Sequence, residues 1–522
     1  MLNELIDKGL LTPDDKIRAL RRSKSVGNSF FNKYVDYSLC NVFLEAFQKD
    51  KHFCEQLKIA VADEKITKCF RNGDVMIEQF NHFLGAEVPN FTWNKNFKKA
   101  SELLLDSVGR VKLHPLHYEN SEDLLNSFSN KHSSAGILFE GTKEDNYEEI
   151  FDKFLHLKHL ISADGGVKIP ALAFHRAQIS NFVKDGVVDS SEIKYKDRLV
   201  WCIDAATVSV ESQFAKPLID HFSRNVNWYA GGKDPLTLRK LIRSGYNTVG
   251  QWYSLDFSLF DQTIPSWLLK HCFYLIREML VLTEEEDAEL RWVEDNFINT
   301  SILLDNESIR QKAKGIPSGS NFTQLIGSMA NFLVIMTYLF HDLSDSNKVY
   351  ETKVWENLGG SRTTLKCFIM GDDNLFFSYK KISVEDLSSY VWNNFGMKIH
   401  PEKTESSGSE RIEPKFLKRQ WKEFGEYRDA LTMAVNVVHP ERPRNYEGYC
   451  AWHILYGLFV TFEYSFRGYV LEGDIVERMQ QHGQLQTLET SSPRDLPGSL
   501  RVFGDKGPAM LYRRAKAMLG DS

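Results

Sequence analysis

The chain has 522 residues, 42% of them hydrophobic and 26% charged, so it is long enough for several subdomains with ordinary globular cores. Its formal net charge of −6 excludes a globally basic surface, so a nucleic-acid enzyme with this sequence must concentrate its cations locally. The seven cysteines are scattered and form no Cys-x-x-Cys pair, which argues against a zinc site or a disulfide scaffold and indicates a reducing compartment.

Two features of the sequence argue against a membrane protein. The N-terminal residues lack a basic segment followed by an apolar core, so no secretion signal is expected. The longest apolar run, residues 331–340, is too short to cross a bilayer, and we therefore expect no membrane segment.

The first part of the chain offers one chemically suggestive segment. Residues 1–70 are predicted to be helical, with a basic cluster that suits a solvated helix face. Further on, Lys194, Lys196 and Arg198 alternate along an extended segment and would share one face. Three cations in a row suit a polyphosphate, but lysines that protect an exposed edge strand give the same pattern.

Two acidic residues follow a predicted strand. Residues 248–255 are predicted to form a strand that ends at Asp256, and Asp261 follows in the next loop. An acid at the end of a buried strand is a common position for chemistry, although capping or turn roles explain both residues equally. Helices are predicted to begin after Pro265 and at the capping-box sequence Thr-Glu-Glu-Glu, residues 283–286.

Residues 315–321, Gly-Ile-Pro-Ser-Gly-Ser-Asn, are predicted to form a loop that leads into an amphipathic helix. Free amides and hydroxyls before a helix can bind a phosphate or a ribose, but an ordinary loop-to-helix junction has the same composition. Residues 364–377 then place Gly-Asp-Asp-Asn between two apolar runs, which predicts a tight hairpin with two acids near its tip. Taken alone, this is also the pattern of a surface hairpin.

The C-terminal third supplies local positive charge. An amphipathic helix is predicted over 383–395, and it is followed by a set of cations: Lys398, Lys403, Lys415, Lys418, Arg419 and Lys422. Residues 429–522 are predicted to be an aromatic-rich helical region up to about Leu471 and looser beyond it. The tail from about residue 480 is a hypothetical plug of a product channel, with Arg513, Arg514 and Lys516 near RNA.

Taken in order, these segments resemble the motifs of viral RNA-dependent RNA polymerases. The chain shows Lys-x-Arg, Asp-x4-Asp, Pro-Ser-Gly-x3-Thr, Gly-Asp-Asp, a lysine after Phe-Gly-Met-x3-Pro, and Phe-Leu-Lys-Arg, in the family order F, A, B, C, D, E. The resemblance covers residues 194–421 and is strongest to small double-stranded RNA viruses, namely partitiviruses with their cryspovirus branch, and next picobirnaviruses.

The resemblance implies an α+β right-hand polymerase with an antiparallel-sheet palm and encircling N-terminal and fingertip segments. The implied domains are an N-terminal extension bridging fingers and thumb (1–70), fingers (71–213 and 284–314), palm (214–283 and 315–428), and thumb with C-terminal tail (429–522).

The resemblance also implies roles for individual residues. The catalytic and metal-binding acids would be Asp256, Asp372 and Asp373, and Lys403 would be the motif D lysine. Nucleotide-binding residues would be Lys194, Lys196, Arg198, Asp261, Ser318, Gly319, Thr323 and Asn331. The RNA-binding primer grip would comprise Phe416, Leu417, Lys418 and Arg419.

The sequence departs from the family at one place. Motif B usually carries Asn four residues after its Thr, but here that position is Gly327 and Asn331 lies one turn further. Ribose recognition is therefore expected to depend on Asp261 and Ser318.

The implied activity is copying of viral RNA by two-metal nucleotidyl transfer, with two Mg²⁺ ions that Mn²⁺ can replace. Expected partners are template and product RNA, nucleoside triphosphates and viral capsid protein, but no membrane, in the virion interior or host cytoplasm. The alternatives are a positive-strand RNA virus replicase, a reverse transcriptase-like enzyme, and a non-catalytic RNA-binding, capsid-associated structural protein.

Overall fold

The computed structural model describes most of the chain, with several short gaps. The described residues are 1–26, 30–32, 34–67, 69–71, 73–85, 88–249, 251–304, 308–344, 366–378, 381–407, 413–422, 425–441, 443–444, 446, 449–490 and 507–519. Residues 364 and 365 of the predicted hairpin and residues 491–506 of the tail lie outside this set.

Helices dominate the described chain. In order they are α1 (Leu2–Asp7), α2 (Pro13–Val26), α3 (Tyr37–Ala46), α4 (Lys51–Ala62), α5 (Gly73–Asn81), α6 (Lys95–Ser107), α7 (Ser121–Ser127), α8 (Tyr147–Asp164), α9 (Ala205–Asn225), α10 (Pro235–Val249), α11 (Phe260–Thr263), α12 (Ser266–Met279), α13 (Glu284–Ile298), α14 (Thr323–Ser344), α15 (Val384–Phe395), the 3₁₀ turn Pro401–Lys403, α16 (Ala430–Val438), α17 (Ala451–Thr461), α18 (Glu463–Phe466), α19 (Glu472–Gln481), α20 (Leu485–Thr490) and α21 (Gly507–Met518).

The strands are short. In order they are β1 (Phe30–Asn32), β2 (Cys69–Arg71), β3 (Ala171–Ser180), β4 (Val183–Lys184), β5 (Val187–Val188), β6 (Lys194–Cys202), β7 (Trp252–Ser254), β8 (Phe257–Ser258), β9 (Ser301–Leu303), β10 (Ile309–Gln311), β11 (Cys367–Met370), β12 (Asp373–Phe377), β13 (Lys398–Ile399), β14 (Glu405–Ser406), β15 (Lys415–Phe416), β16 (Arg419–Lys422) and β17 (Gly425–Tyr427).

An antiparallel sheet of order β11-β12-β7-β14 carries the predicted acids. Strand β12 pairs with β7 so that Phe376 faces Tyr253 and Phe377 faces Trp252. The small ladder between β8 and β13 continues beside it, with Phe257 opposite Ile399. This arrangement brings the chain around Asp256 next to the chain around the Gly-Asp-Asp turn.

The chain divides into two compact units, which are described separately. Unit 1 contains residues 1–28, 73–175 and 199–417, and unit 2 contains 29–72, 176–198 and 418–522. Unit 1 holds the sheet just described, while unit 2 joins an N-terminal segment with the C-terminal helices. This division does not separate fingers from palm, so the boundaries of the domains proposed from the sequence stay predictions.

Helix α14 lies at the centre of unit 1 and packs against α6, α12, α15 and β11. By length and composition the segment 323–342 could cross a membrane. The prediction of no membrane segment considered only the shorter apolar run 331–340 within it. However, 89% of that window is buried inside the protein. The apolar composition of this helix is therefore explained by its position in the core.

Several local predictions hold because they rest on side-chain capping. The side chain of Thr283 accepts from the Glu286 N–H and forms the predicted capping box of α13. Helix α15 begins after Ser383, whose Oγ accepts from the Asp386 N–H at 3.1 Å, and ends at Gly396 with a φ of 66°.

Two predictions about secondary structure are wrong. The strand expected over 248–255 begins only at Trp252, because α10 continues to Val249. The region beyond Leu471 is not loose where it is described, since α19, α20 and α21 lie there. Within it, the guanidinium of Arg514 pairs with Glu472 at 2.6 Å and Glu463 at 3.3 Å, so it is already engaged by protein carboxylates.

Candidate active site

Asp256 lies between β7 and β8, with its side chain exposed. Its carbonyl oxygen accepts from the His400 N–H at 2.9 Å, and its own N–H donates to the Thr404 hydroxyl at 3.4 Å. The chain next turns at Leu259, a non-glycine residue with a φ of 50°. This left-handed conformation is costly for leucine and is maintained by the surrounding structure. Asp261 then follows in the short helix α11.

Asp372 lies in the two-residue turn between β11 and β12, where Met370 pairs with Asp373. Gly371 has a φ of 65°, a conformation that glycine adopts without a Cβ clash. The side chain of Asp372 is exposed, whereas Asp373 is half-buried at the start of β12. The hairpin predicted around these acids is confirmed for its described residues.

The side chain of Asn374 joins the two acidic segments. Its Oδ1 accepts from the Leu255 N–H at 3.0 Å, and its Nδ2 donates to the Leu255 carbonyl oxygen at 3.3 Å. The same Nδ2 donates to the carbonyl oxygen of Asp372 at 3.1 Å. Since both carbonyl oxygens lie within 3.3 Å of one nitrogen, they are less than about 7 Å apart. Asp372 is therefore held close to the residue that precedes Asp256.

Helix α14 holds the turn from its other side. The Ser328 hydroxyl accepts from the Gly371 N–H at 2.9 Å. Asn331 Nδ2 donates to the carbonyl oxygens of Gly371 at 2.9 Å and Asp372 at 3.2 Å. Asn331 is fully buried. The Asn331 amide therefore positions the acidic turn, and the nucleotide contact expected for Asn331 stays a prediction.

The loop before α14 lies against both β6 and the Asp261 segment. The Ser318 hydroxyl accepts from the Trp201 N–H at 3.0 Å, and the Ile316 N–H donates to the Asp261 carbonyl oxygen at 2.6 Å. Thr323 Oγ1 donates to the Pro317 carbonyl oxygen at 2.5 Å and closes the loop. Ser318 itself is exposed, so its hydroxyl hydrogen can be donated outward.

Gly319 is required by the closeness of this loop to β6. A Cβ at Gly319 would lie 2.0 Å from the Trp201 carbonyl oxygen and 3.1 Å from the Ile203 nitrogen. Both are backbone atoms that cannot rotate away, so a larger residue would displace the loop. The role of Gly319 in the structure is thus to permit this close approach.

Lys403 is exposed at the end of the 3₁₀ turn. The residues on either side of it, His400 and Thr404, are the two that bond the backbone of Asp256. The structure therefore brings the segment of Lys403 next to the segment of Asp256, two positions that are distant in sequence.

The cations of β6 contribute to a cavity in unit 2. This cavity has a volume of about 670 Å³, and its charged lining residues are Arg176, Lys196, Arg198, Lys418, Arg428 and Glu441. Lys194 is also exposed on β6 but does not line the cavity. Sequence reasoning missed Arg176 and Arg428, because no local pattern marks a residue that joins a site only through the tertiary fold.

Most of this positive charge is uncompensated. Arg176, Arg198, Lys418 and Arg428 form no ion pair with any residue that the structure describes. Burial lowers the pKa of the half-buried Arg428 from its ordinary value. Glu441, the one acid among the lining residues, accepts from the Ala177 N–H at 3.2 Å. Cations without a protein counter-ion favour an anion as the ligand of this cavity.

The predicted primer-grip hairpin is present, but only part of it is available to RNA. Leu417 and Lys418 form its turn with φ values of 55° and 57°. Phe416 is buried, and Arg419 pairs with Glu426 at 3.6 Å and lies over the Phe462 ring at 4.6 Å. Phe416 and Arg419 thus have packing contacts, whereas Lys418 is exposed, and the RNA contacts expected of this hairpin stay a prediction.

The acids suit Mg²⁺, which prefers hard oxygen ligands and binds through one or two carboxylates together with substrate phosphates. Asp256 and Asp372 are exposed carboxylates, and the Asn374 amide joins the backbone of Asp372 to that of Leu255, the residue before Asp256. Among the described residues, no three acidic, His or Cys side chains converge closely enough to hold a metal ion by themselves. The donor set thus fits ions that arrive with a nucleotide and complete their coordination with its phosphates.

Comparison with known proteins identifies the family. Residues 76–445 match the family described as viral RNA-dependent RNA polymerase, which is more than half of the 522-residue chain. The chain belongs to this family.

Relatives and solved structures agree with this assignment. The chain is 34% identical over 143 residues to the RNA-directed RNA polymerase of Cryptosporidium parvum virus 1 (strain KSU-1), covering 26% of each protein. It is 24% identical over 246 residues to non-structural polyprotein 1AB of Ovine astrovirus 1, covering 44% of this chain and 17% of that protein. The matched regions thus span about a quarter or less of these curated relatives.

The fold is similar to crystal structures of the RNA-dependent RNA polymerase of a human picobirnavirus. For its insertion-loop deletion mutant the TM-score is 0.61 at 15% identity over 97% of both chains. For the undeleted protein the TM-score is 0.57 at 14% identity, over 95% of this chain and 92% of that one. The predicted α+β right-hand polymerase fold is confirmed.

Proposed function

We propose that this protein is an RNA-dependent RNA polymerase that copies viral RNA in the replication and transcription of a double-stranded RNA genome. The observation that carries the proposal is the Asn374 side chain, which binds Leu255 and Asp372 at once and so brings the two acidic segments together. Family membership supports the same activity.

The reaction joins a 3′ hydroxyl to the α-phosphorus of a nucleoside triphosphate and breaks the bond to pyrophosphate. Asp256 and Asp372, with Asp373 as the second acid of the turn, would hold two Mg²⁺ ions, and Mn²⁺ has the same preference for oxygen ligands. Such ions lower the pKa of the attacking hydroxyl and neutralise charge on the leaving pyrophosphate. The carboxylates themselves are held by a backbone that the Asn374 and Asn331 amides fix on both sides.

Lys403 would act on the leaving group. Its ammonium can donate a proton to the departing pyrophosphate, an effect that is typically worth about 10²–10⁴-fold in rate. Its neighbours His400 and Thr404 hold the backbone of Asp256, so its segment moves with that acid.

Ribose selection would fall to Asp261 and Ser318. The Ile316–Asp261 hydrogen bond holds the loop of Ser318 beside the segment of Asp261. The exposed Ser318 hydroxyl accepts from Trp201 and retains a hydrogen that it can donate to a sugar oxygen. Asp261 can accept from a ribose hydroxyl, which a deoxyribose lacks.

The basic cavity of unit 2 would bind phosphate. It combines Lys196 and Arg198, expected on the nucleotide side, with Lys418 of the primer-grip turn. A nucleoside triphosphate carries enough negative charge to match Arg176, Arg198, Lys418 and Arg428, and its compact form suits a cavity of about 670 Å³.

The direct test is template-dependent incorporation of ribonucleotides by the purified chain, with and without a primer, in Mg²⁺ and then Mn²⁺. We expect Asp372→Asn to abolish synthesis while it leaves RNA binding largely intact. The matched control is Asp220→Asn, which changes an exposed aspartate of α9. Synthesis by Asp372→Asn at the wild-type rate in Mg²⁺ would disprove the catalytic assignment.

The same assay separates the alternatives. Efficient use of deoxyribonucleotides would indicate a reverse transcriptase-like enzyme, and RNA binding without synthesis would indicate a structural RNA-binding protein. The similarity to a polyprotein of Ovine astrovirus 1 keeps a positive-strand replicase as the second candidate. A preference for double-stranded over single-stranded viral RNA templates would favour the double-stranded assignment.

We also propose that the protein associates with viral capsid protein and is located in the virion interior or the host cytoplasm. Purified virus particles that contain this chain and synthesise RNA without added enzyme would support it. Particles that lack the chain would contradict the capsid association while leaving the polymerase activity unaffected.

A further inference from the structure

The loop 315–321 is held by a buried glutamate on a neighbouring helix. Glu211 Oε2 accepts from the Asn321 N–H at 2.8 Å, and Asn321 Nδ2 donates to the Val208 carbonyl oxygen at 3.0 Å. Glu211 and Val208 are three residues apart on α9 and therefore lie on the same helix face. Both the backbone and the side chain of Asn321 are thus fixed to α9.

Helix α9 starts directly after the strand that the loop touches at its other end. Ser318 and Gly319 contact residues 201–203, and α9 begins at Ala205 with Asp204 as its N-cap. The loop therefore contacts the continuous segment 201–211 at two places, through Ser318 and Gly319 and through Asn321. Movement of α9 or loss of either contact would change the position of the Ser318 hydroxyl.

The chemical nature of the second contact is unusual. Glu211 is 1% exposed and forms no ion pair with a described residue. Ser320 provides a second hydrogen bond to its carboxylate, and Lys143 is the cation that acts on it. Burying a carboxylate is costly, and a charged acceptor binds backbone N–H groups more strongly than a neutral one.

We propose that Glu211 is a positioning residue for ribose selection, which sets the place of the Ser318 hydroxyl by holding Asn321. This inference rests on the proposed polymerase function. Glu211 touches neither nucleotide nor metal; it acts through the loop.

Glu289 provides a matched control. It is also a fully buried glutamate of unit 1, but it accepts from Lys158 at 3.1 Å and from Gln213 at 3.3 Å, on helices α8 and α9, and not from Asn321. Replacing it removes a buried carboxylate without touching Asn321. An effect seen with substitutions at both Glu211 and Glu289 indicates a general loss of stability. An effect seen only with substitutions at Glu211 indicates a change in the position of the loop.

The first experiment does not depend on activity. Hydrogen exchange of the peptide that covers residues 318–322 is measured by mass spectrometry in Glu211→Gln and Glu289→Gln. We expect exchange to be several-fold faster in Glu211→Gln alone, because the neutral amide accepts more weakly from the Asn321 N–H. Unchanged exchange in Glu211→Gln, or an equal increase in both variants, would overturn the proposal.

The second experiment measures selection. In Glu211→Leu, which leaves the Asn321 N–H without an acceptor, we expect the preference for ribonucleotides over deoxyribonucleotides to fall roughly tenfold, mainly through a higher KM for ribonucleotides. Glu289→Leu should retain the wild-type preference. A retained preference in Glu211→Leu with normal synthesis would refute the positioning role and leave the polymerase assignment standing. Absence of synthesis in the wild type would refute the polymerase assignment, whereas the exchange experiment would still decide whether Glu211 holds the loop.

Discussion

The side-chain amide of Asn374 satisfies both backbone groups of Leu255, accepting from its N–H at 3.0 Å and donating to its carbonyl oxygen at 3.3 Å. The paired register of β12 and β7 covers Phe376 with Tyr253 and Phe377 with Trp252, and beyond it the Asn374 side chain supplies the hydrogen bonds of Leu255. Asp256 and Asp372 each lie within two residues of this contact.

Removal of this amide should therefore impair metal use before it impairs folding. We expect Asn374→Ala to lower the synthesis rate about tenfold or more and to raise the Mg²⁺ concentration needed for half-maximal rate, because two buried backbone groups lose their partner. A Mg²⁺ titration of the rate measures both effects. The control is Asn394→Ala, which removes an amide that donates to the Tyr390 carbonyl oxygen in α15. An unchanged Mg²⁺ requirement in Asn374→Ala would contradict this interpretation.

The contact between Gly319 and β6 makes a steric prediction. A methyl group at Gly319 would meet the Trp201 carbonyl oxygen at 2.0 Å, so we expect Gly319→Ala to displace the loop and reduce synthesis at least tenfold. Steady-state rates and thermal unfolding are the measurements. Gly468→Ala is the control, since nothing lies within 4 Å of a Cβ added there. Wild-type rates in Gly319→Ala would mean that the loop does not need this close approach.

Arg428 should show a conflict between stability and binding. Burial disfavours its unpaired charge, so Arg428→Gln should increase the free energy of unfolding while it raises the KM for nucleoside triphosphates several-fold. Denaturant unfolding and steady-state kinetics measure the two quantities. Arg478→Gln is the control, because Arg478 pairs with Glu45 at 2.7 Å and does not line the cavity. We expect it to lower the free energy of unfolding and to leave the KM unchanged. The same KM change in both variants would refute phosphate binding in the cavity.

Glu211 also predicts a dependence of stability on pH. Burial raises the pKa of Glu211 from 4.5 to about 7, so the folded chain binds a proton that the unfolded chain releases more readily. This contribution to stability is complete below about pH 4.5 and is lost as the pH rises to about 7. Glu211→Gln lacks this titration. Relative to wild type, we expect it to be more stable at pH 8 than at pH 5, by roughly 3 kcal/mol at most.

Denaturant unfolding of both proteins at the two pH values tests this. The groups acting on Glu211 from neighbouring elements are Lys143, Ser320 and Asn321, and Lys143 also interacts with Asp204 and Cys202. Those groups remain in the variant, so the difference between the two proteins isolates Glu211. An equal difference at pH 5 and pH 8 would show that Glu211 titrates normally.

The sequence predicted the acids and the loop because their chemistry is local. Asp372 lies in a turn that needs glycine, and Ser318 lies in a Gly/Ser loop before an apolar helix, so composition predicts the turn and the loop, while the order of the motifs along the chain suggests their roles. Thr283 and Ser383 were predicted as helix starts for the same reason: a cap bonds an amide only a few residues away.

The misses have a common cause in tertiary packing. Asn374 was interpreted as a turn former, whereas its amide bonds a strand more than 100 residues away. Glu211, Arg176 and Arg428 follow no pattern in sequence, since each contributes through neighbours from other segments. The contact of Asn331 with the acidic turn was also not predicted, because what a residue on a buried helix touches is decided by the segment that packs on that helix.

Helix α14 begins at Thr323, whose hydroxyl closes the loop 315–321. Further along the same helix, Ser328 and Asn331 form hydrogen bonds with Gly371 of the acidic turn. The eight residue steps from Thr323 to Asn331 measure about 12 Å along the helix, which is enclosed by packing and therefore stiff. If Ser318 and Asp372 act on a nucleotide as proposed, a displacement of the loop by an ill-fitting sugar would be carried through this helix to the acidic turn. Sugar selection and the positioning of the acids would then depend on the same helix.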